Sequence, residues 1–126
     1  MATKRILIVD DEDDIREVAK VALELVGGWQ VLTAHSANAG LGLAESEQPD
    51  AILLDVMMPD MDGPAVFRKL QENSATRGIP VVLLTAKVQA SDRQRFADLG
   101  VAAVIAKPFD PLKLADQVSQ ALGWNA

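Results

Sequence analysis

The sequence predicts an α/β protein in which a parallel β-sheet is covered by helices on both faces. Five short apolar segments have the length of strands, and most are continuously apolar, as strands buried on both faces are. Helical patterns lie between them, so strand and helix alternate along the chain, which is typical of right-handed crossovers in a parallel sheet. The predicted strands are residues 6–9, 31–34, 51–54, 81–84 and 101–106.

The first predicted helix lies between an acidic run at residues 10–14 and the pair Gly27-Gly28. Negative charges favour the start of a helix because they face the positive end of its dipole, and glycine favours its end. The apolar residues of this segment recur at the spacing of one helix face: Ile15, Val18, Ala19, Ala22, Leu25 and Val26.

The second and third helices carry clear start signals. Ser36 is a good N-cap for a helix over residues 37 to about 47, although Gly40 and Gly42 lower the stability of that helix. Pro64 suits the first turn of the third helix, where the N–H that proline lacks would have no partner within the helix. The apolar residues of the third helix are Val66, Phe67 and Leu70.

Start signals also mark the last two helices. Ser91 or Asp92 begins the fourth helix, and Gly100 stops it. Pro111 stands at the start of the fifth helix, which is expected to bury an apolar face. The residues of that face are Leu112, Leu114, Ala115, Val118, Ala121 and Leu122.

Repeated strand–helix units that cover both faces of a sheet form a doubly wound fold. Its common five-strand version has the flavodoxin-like strand order 2-1-3-4-5. We take this order from known doubly wound proteins, because the spacing of the segments does not determine it. The sequence contains no linker, internal repeat or low-complexity segment, so we expect residues 1–126 to form a single domain.

Composition excludes several classes of function. The net charge is −6, the pI is about 4.6 and the basic residues are scattered, which argues against nucleic-acid binding. No cysteine is present for a disulfide, a thiolate metal site or a nucleophile. No apolar segment approaches the ~20 residues of a membrane span, and the first apolar run is too short for an export signal. We therefore expect a cytoplasmic protein that binds neither nucleic acid nor membrane.

Charged and polar residues follow four of the predicted strands. Asp10 and Asp11 follow strand 1, Asp55 follows strand 3, Thr85 follows strand 4 and Lys107 follows strand 5. All strands of a parallel sheet point the same way, so we expect these side chains to share one crevice at the sheet edge, open to water. Each alone would be an ordinary cap, turn or surface residue. Their joint arrival at matched strand ends indicates a site.

The three carboxylates of this crevice repel one another, at about 4 kcal/mol for each pair at ~4 Å and an effective dielectric constant near 20. Such a cluster favours a cation, and oxygen ligands alone predict Mg²⁺ or Mn²⁺. Few protein ligands would leave coordination positions for a phosphoryl group. Aspartate is also an established nucleophile that forms aspartyl phosphate. The residues therefore predict phosphoryl transfer by positioning and charge neutralisation.

Four motifs carry a resemblance to a known family. They are ILIVDDE at residues 6–12, LLDVMMP at 53–59 with MDG at 61–63, TA at 85–86, and KPF at 107–109. Together they resemble the receiver domain of bacterial two-component response regulators, of the chemotaxis-receiver type, over essentially the whole chain. If the chain is complete, it resembles the stand-alone, single-domain members of that family.

The resemblance implies a phosphoacceptor signalling domain that catalyses only its own phosphorylation and dephosphorylation. Asp55 would take a phosphoryl group from the phosphohistidine of a sensor histidine kinase or a phosphotransfer protein. Lys107 would contact the phosphoryl oxygens, and Thr85 would move to bond them. The resemblance also implies a cis bond between Lys107 and Pro108.

For the metal, the resemblance implies Mg²⁺ bound by Asp11, Asp55 and the backbone carbonyl of Met57, with Asp10 contributing through water. It further implies a partner-binding face formed by helix 4, strand 5 and helix 5, about residues 91–122. Phosphorylation would change the binding of a downstream protein there, and a phosphorylation-dependent dimer is compatible with such a face.

Three features depart from the family pattern. Val104 stands where an aromatic residue usually lies, three residues before the lysine, so the usual aromatic switch is missing. Met57 and Lys87 occupy positions at which family members tune dephosphorylation with polar or acidic side chains. We expect the apolar Met57 to give a long-lived phosphorylated form. Pro64 replaces a typical apolar residue and stiffens the start of the third helix.

Two other functions are compatible with parts of the sequence. A haloacid-dehalogenase-type phosphatase also forms aspartyl phosphate, but that chemistry uses a second acid two residues after the nucleophile, where this chain has Met57. A phosphorylation-independent interaction module of receiver shape would need none of the five site residues, all of which are retained.

Overall fold

The computed structural model describes residues 3–86 and 89–124 and contains a five-stranded parallel sheet in the order β2-β1-β3-β4-β5. The doubly wound fold and the strand order predicted above are confirmed. The strands are β1 Arg5–Val9, β2 Gln30–Ala34, β3 Ala51–Asp55, β4 Val81–Thr85 and β5 Ala103–Ala106. The helices are α1 Asp13–Leu25, α2 Ala37–Glu47, α3 Gly63–Glu72, α4 Ala90–Leu99 and α5 Leu114–Leu122.

The sheet separates two hydrophobic cores, because successive residues of each strand point to opposite faces. Leu7, Ile52 and Leu83 pack on one face, in the same cluster as buried residues of α2, α3 and α4. On the other face Ile8 and Leu53 pack with buried residues of α1 and α5. Both faces of the central strands are therefore apolar, which explains why their sequences are continuously apolar and do not alternate.

The register of the strands aligns their carboxyl ends. Val9 lies opposite Leu54 in β1 and β3, and Thr85 lies opposite Ala106 in β4 and β5. The residues at or just after these positions carry the polar side chains that the sequence singles out. The sheet thus delivers them to one edge at matched heights.

The start signals of α2 and α3 are confirmed, and one glycine of α2 has a packing role. The Ser36 side chain accepts a hydrogen bond from the Ala39 N–H at 3.1 Å, and Pro64 lies in the first turn of α3. A Cβ atom on Gly40 would lie 2.7 Å from a methyl carbon of Val9. The helix can approach β1 only because residue 40 has no side chain.

The buried face of α1 differs from the face that the sequence indicates. Ala19 and Ala22 are buried as predicted, but so is Leu23, which the predicted face leaves out, whereas Val18 is 44% and Leu25 is 80% exposed. Two apolar stripes run side by side along this helix, and the one that contains Leu23 packs against the sheet and α5. Part of the other stripe faces outward.

The fifth helix begins later than Pro111, so that prediction is wrong. The Asp110 side chain accepts from the Leu112 N–H at 2.9 Å, and its carbonyl accepts from Leu114 at 3.0 Å. These bonds form a separate turn before α5, and Leu112 is 74% exposed rather than buried. Gly100 ends α4 as predicted, in the left-handed conformation with φ of 102°, but β5 begins at Ala103, two residues later than predicted.

Within the described residues, none of the helices is long and apolar enough to cross a bilayer.

Candidate functional site

Three carboxylates converge at the carboxyl edge of the sheet, as the sequence predicts. Asp10, Asp11 and Asp55 each offer a carboxylate oxygen, and these oxygens all lie within 4.8 Å of one another. Asp10 follows β1 directly, and Asp55 is the last residue of β3. The expectation that Asp55 is open to water is wrong, since the residue is only 3% exposed.

Lys107 is the cation of this cluster. Its Nζ atom lies 3.1 Å from Asp10 Oδ2, 3.1 Å from Asp55 Oδ1 and 3.2 Å from Glu12 Oε1. The Lys107 N–H donates to the Thr85 carbonyl at 2.9 Å, which ties the end of β5 to the end of β4, and the bond from Lys107 to Pro108 is cis. One ammonium group is thus shared by three carboxylates from two chain segments.

Burial and charge shift the titration of this pair. Burial raises the pKa of Asp55 to about 6, and the negative charge of Asp10 adds to the rise while Lys107 opposes it. Burial alone would lower the pKa of Lys107, but its bonds to Asp10 and Asp55 outweigh that effect and raise it. Lys107 is therefore charged at neutral pH, and it reduces the repulsion between Asp10 and Asp55 without removing it.

Several oxygens of the cluster lack hydrogen-bond donors. Asp11 Oδ1 and Asp55 Oδ2 are buried and accept no hydrogen bond from any residue that the structure describes, and among those residues Asp10 Oδ2 has only its ion pair with Lys107. Buried polar atoms are normally satisfied, so such a group of orphaned oxygens indicates a missing ligand. Carboxylate oxygens are what a hard divalent cation binds. The residues present fit Mg²⁺.

The β1–α1 connection is fixed by two residues that the sequence does not single out. The Glu12 N–H donates to Asp10 Oδ1 at 2.9 Å, and this turn brings the Glu12 side chain to Lys107. Arg16 donates to the Asp10 carbonyl at 2.9 Å and pairs with Asp13 at 2.6 Å. In the sequence, Glu12 belongs to the acidic run and Arg16 lies close to it. That position does not distinguish a residue of the site from a residue that starts the helix.

The β3–α3 loop, residues 56–62, is closed on itself. The Gly63 N–H donates to the Val56 carbonyl at 2.8 Å, and a Cβ atom at Gly63 would lie 2.9 Å from Val56 Cα. Asp62 caps α3 by accepting from the Ala65 N–H at 2.8 Å. The Met57 N–H points back to Asp55 Oδ1 at 3.4 Å, so the Met57 backbone lies beside the acidic cluster. The Met57 side chain is 58% exposed.

The remaining predicted residues lie on β4 and β5. Thr85 is the last residue of β4 and is fully buried. Val104 is half-buried and packs against the core cluster shared by α2, α3 and α4. Lys87, at which the sequence departs from the family pattern, lies outside the described residues.

Comparisons with known proteins agree with this geometry. The sequence matches the response regulator receiver domain family over residues 6–119. The phosphate regulon transcriptional regulatory protein PhoB of Pseudomonas aeruginosa is 37% identical over 122 residues, which cover 97% of this chain and 53% of that protein. This chain spans about half the length of the first curated relatives it matches.

Solved structures agree as well. The chemotaxis response regulator CheY4 of Vibrio cholerae has a TM-score of 0.88 at 27% identity, covering 95% of this chain and 99% of that chain. The receiver domain of a sensor histidine kinase from Pseudomonas aeruginosa, described with a magnesium ion coordinated in its active-site cleft, has a TM-score of 0.84 at 28% identity. The similarity covers 97% of this chain and 99% of that receiver domain. With the fold, the acidic pocket and the family match in agreement, this chain belongs to the response regulator receiver domains of two-component signalling.

Proposed function

We propose that Asp55 is the phosphoacceptor of this receiver domain. The observation that carries the proposal is the unpartnered Asp55 Oδ2, buried in a cluster that also contains the unpartnered Asp11 Oδ1 and the ammonium of Lys107. A carboxylate oxygen of Asp55 attacks phosphorus while the N–P bond of a donor phosphohistidine breaks. The bonding electron pair stays on the imidazole nitrogen, and the product is an acyl phosphate.

Asp10, Asp11, Asp55 and the Met57 carbonyl would hold Mg²⁺ in this proposal. A bound Mg²⁺ supplies positive charge against the phosphoryl oxygens and allows them to approach the carboxylates. Lys107 would supply a second cation, and its ion pairs with Asp10 and Asp55 support this role. The chain is then a signalling domain whose chemistry is confined to its own aspartate.

Phosphorylation of purified protein tests the proposal. The protein is incubated with labelled acetyl phosphate and Mg²⁺ beside two variants, Asp55→Asn and Asp62→Asn. Asp62 is a matched control, because it is an exposed acid of the same loop that caps α3 and lies outside the carboxylate cluster. We expect label in the wild type and Asp62→Asn, and none in Asp55→Asn. Equal label in all three proteins would exclude Asp55 as the acceptor.

We further propose that the phosphohistidine-bearing protein docks on an apolar strip beside the site. A cavity of about 180 Å³ is lined by Ile15, Val18, Pro108 and Phe109. The last two of these residues directly follow Lys107 in the chain. Exposed Val21, Leu25 and Leu112 continue the strip along α1 and the turn before α5. A donor must approach Asp55 from this edge of the sheet, so a partner seated there would cover apolar surface that is otherwise exposed to water.

A variant of the strip separates docking from chemistry. We expect Val18→Asp to slow phosphorylation by a phosphorylated sensor kinase at least about tenfold, since a charge in an apolar contact is costly to desolvate. Phosphorylation by acetyl phosphate, which needs no docking surface, should fall much less. Equal slowing with both donors, or no slowing with the kinase, would contradict this use of the strip.

For the output we propose the face of α4, β5 and α5. Phe96 is the residue of α4 that is fully buried, while the charged side chains of Arg93, Arg95 and Asp98 are exposed. A helix held by few buried contacts is free to shift when Asp55 is modified. Affinity capture with and without beryllofluoride tests this face for a downstream protein or a second copy, and a partner retained equally in both states would count against phosphorylation-dependent output.

A further inference from the structure

A carboxylate outside the acidic cluster connects the β3–α3 loop to the start of α2. Asp60 Oδ1 accepts a hydrogen bond from the Ala37 N–H at 3.2 Å, and Asp60 Oδ2 accepts one from the Asn38 N–H at 3.1 Å. The bond from Asn38 is the main reason that the pKa of Asp60 is below its ordinary value. The group is therefore ionised at neutral pH and faces the positive end of the helix dipole.

These two bonds are half of what the start of α2 requires. The first four N–H groups of a helix have no partner within it. Asp60 accepts from two of these groups, at Ala37 and Asn38, and the Ser36 hydroxyl accepts from a third, at Ala39. The next N–H group, of Gly40, donates to the Ser36 carbonyl in the first regular bond of the helix. The helix supplies one cap from its own segment, and the β3–α3 loop supplies the other.

The other side of the same loop lies at the acidic cluster. Asp60 lies three residues after Met57, and the Met57 N–H donates to Asp55 Oδ1 at 3.4 Å. Met58, between them, is buried in the core that contains α2 and α3. The loop is thus held at one end by Asp55, in the middle by Met58 and at its tip by α2.

We propose that Asp60 is a positioning residue for the metal site. By tying the tip of the β3–α3 loop to α2, it holds the Met57 backbone beside the carboxylate cluster, where its N–H donates to Asp55. The inference rests on the proposed function, in which the Met57 carbonyl is a Mg²⁺ ligand. Removal of Asp60 leaves the three carboxylates in place and releases only the tip of the loop. We expect Mg²⁺ affinity to fall about three- to tenfold, which is less than the 10–100-fold typical of groups bonded directly to a ligand.

Calorimetric titration with Mg²⁺ tests the inference on four proteins: the wild type, Asp60→Ala, Asp60→Asn and Ser36→Ala. Ser36→Ala is the matched control, because it removes a cap from the same helix without touching the loop. We expect the affinity to decrease from the wild type through Asp60→Asn, which keeps one acceptor oxygen, to Asp60→Ala. Ser36→Ala should bind Mg²⁺ as the wild type does, although its melting temperature in EDTA falls by a similar amount.

The outcomes separate this inference from the proposed function. If Asp60→Ala binds Mg²⁺ as tightly as the wild type, or if Ser36→Ala is weakened equally, Asp60 is only a helix cap and the inference is overturned while the site stands. If the wild type binds no Mg²⁺, the proposed function fails and the inference fails with it. Should Asp60→Ala not fold, the comparison of Asp60→Asn with Ser36→Ala decides in the same way.

Discussion

Replacement of Asp11 by asparagine should stabilise the metal-free protein. Asp11 shares the cluster with Asp10 and Asp55, and its Oδ1 atom is buried without a donor. Lys107 forms ion pairs with Asp10 and Asp55 but has none with Asp11 among the described contacts. Within residues 3–86 and 89–124, Asp11 therefore adds a negative charge that no ion pair compensates. An asparagine of the same shape removes that charge and adds N–H donors beside the unpartnered oxygens.

The magnitude follows from the separation of the carboxylates. At 4.8 Å, each repulsion is about 3.5 kcal/mol with an effective dielectric constant of 20. Two such pairs amount to about 7 kcal/mol, a sum that the positive charge of Lys107 and the partial exposure of Asp11 reduce. We expect a net stabilisation of about 1–3 kcal/mol. For a domain of this size that corresponds to a rise of roughly 3–10 °C in melting temperature.

Thermal unfolding in EDTA and in Mg²⁺ measures this effect. In EDTA, Asp11→Asn should melt above the wild type, and added Mg²⁺ should raise the melting temperature of the wild type but not of the variant, which has lost a ligand. Asp14→Asn is the control, since Asp14 lies in the first turn of α1 outside the cluster and should only lose a favourable dipole interaction. An Asp11→Asn protein that melts at or below the wild type in EDTA would refute the repulsion argument.

Three further predictions concern the phosphorylated state, the titration of the site and the packing of α2. Met57→Asn should shorten the life of the phosphorylated form at least about threefold, because a polar side chain can orient water; unchanged decay of label would contradict this. In EDTA, the free energy of unfolding of the wild type should fall by up to about 3 kcal/mol relative to that of Asp55→Asn as the pH rises from about 4 to about 7. The raised pKa of Asp55 favours the protonated folded form at low pH, and this stability is lost as pH rises through about 6; a pH-independent difference in melting temperature would argue against it. Gly40→Ala should lower the free energy of unfolding, measured in urea, by about 1–2 kcal/mol, because the added Cβ would meet Val9. Gly42→Ala, which has open space around it, should raise the free energy of unfolding. Equal effects of the two substitutions would show that helix propensity alone decides.

The fold was predictable because the same pattern, a short apolar segment of strand length, recurs along the chain. Each of β1, β3 and β4 is continuously apolar apart from one terminal residue, and strands buried on both faces have that pattern wherever they lie in the chain. Strand order was not encoded in the same way and came from known doubly wound proteins. The face of α1 was ambiguous, because Val18 and Leu23 belong to neighbouring apolar stripes and only the packing of α5 decides between them.

The residues that form the site were predictable to the extent that strand ends deliver them. Asp10, Asp55 and Lys107 are placed by the register of the sheet, so knowledge of the strands was sufficient. Glu12 and Asp60 were not predictable, because their contacts depend on how two loops turn back onto distant segments. The near-complete burial of Asp55 was missed for a related reason: its surroundings come from loops as well as from strands.

The most direct test of the account is a map of where phosphate is bound and whether Mg²⁺ is needed. The protein is treated with acetyl phosphate in Mg²⁺ or in EDTA, and borohydride then reduces the acyl phosphate to an alcohol that peptide mass spectrometry locates. The account predicts modification of Asp55 alone, and only with Mg²⁺. Modification of Asp10, Asp11 or any other acid in place of Asp55, or equal modification in EDTA, would contradict it.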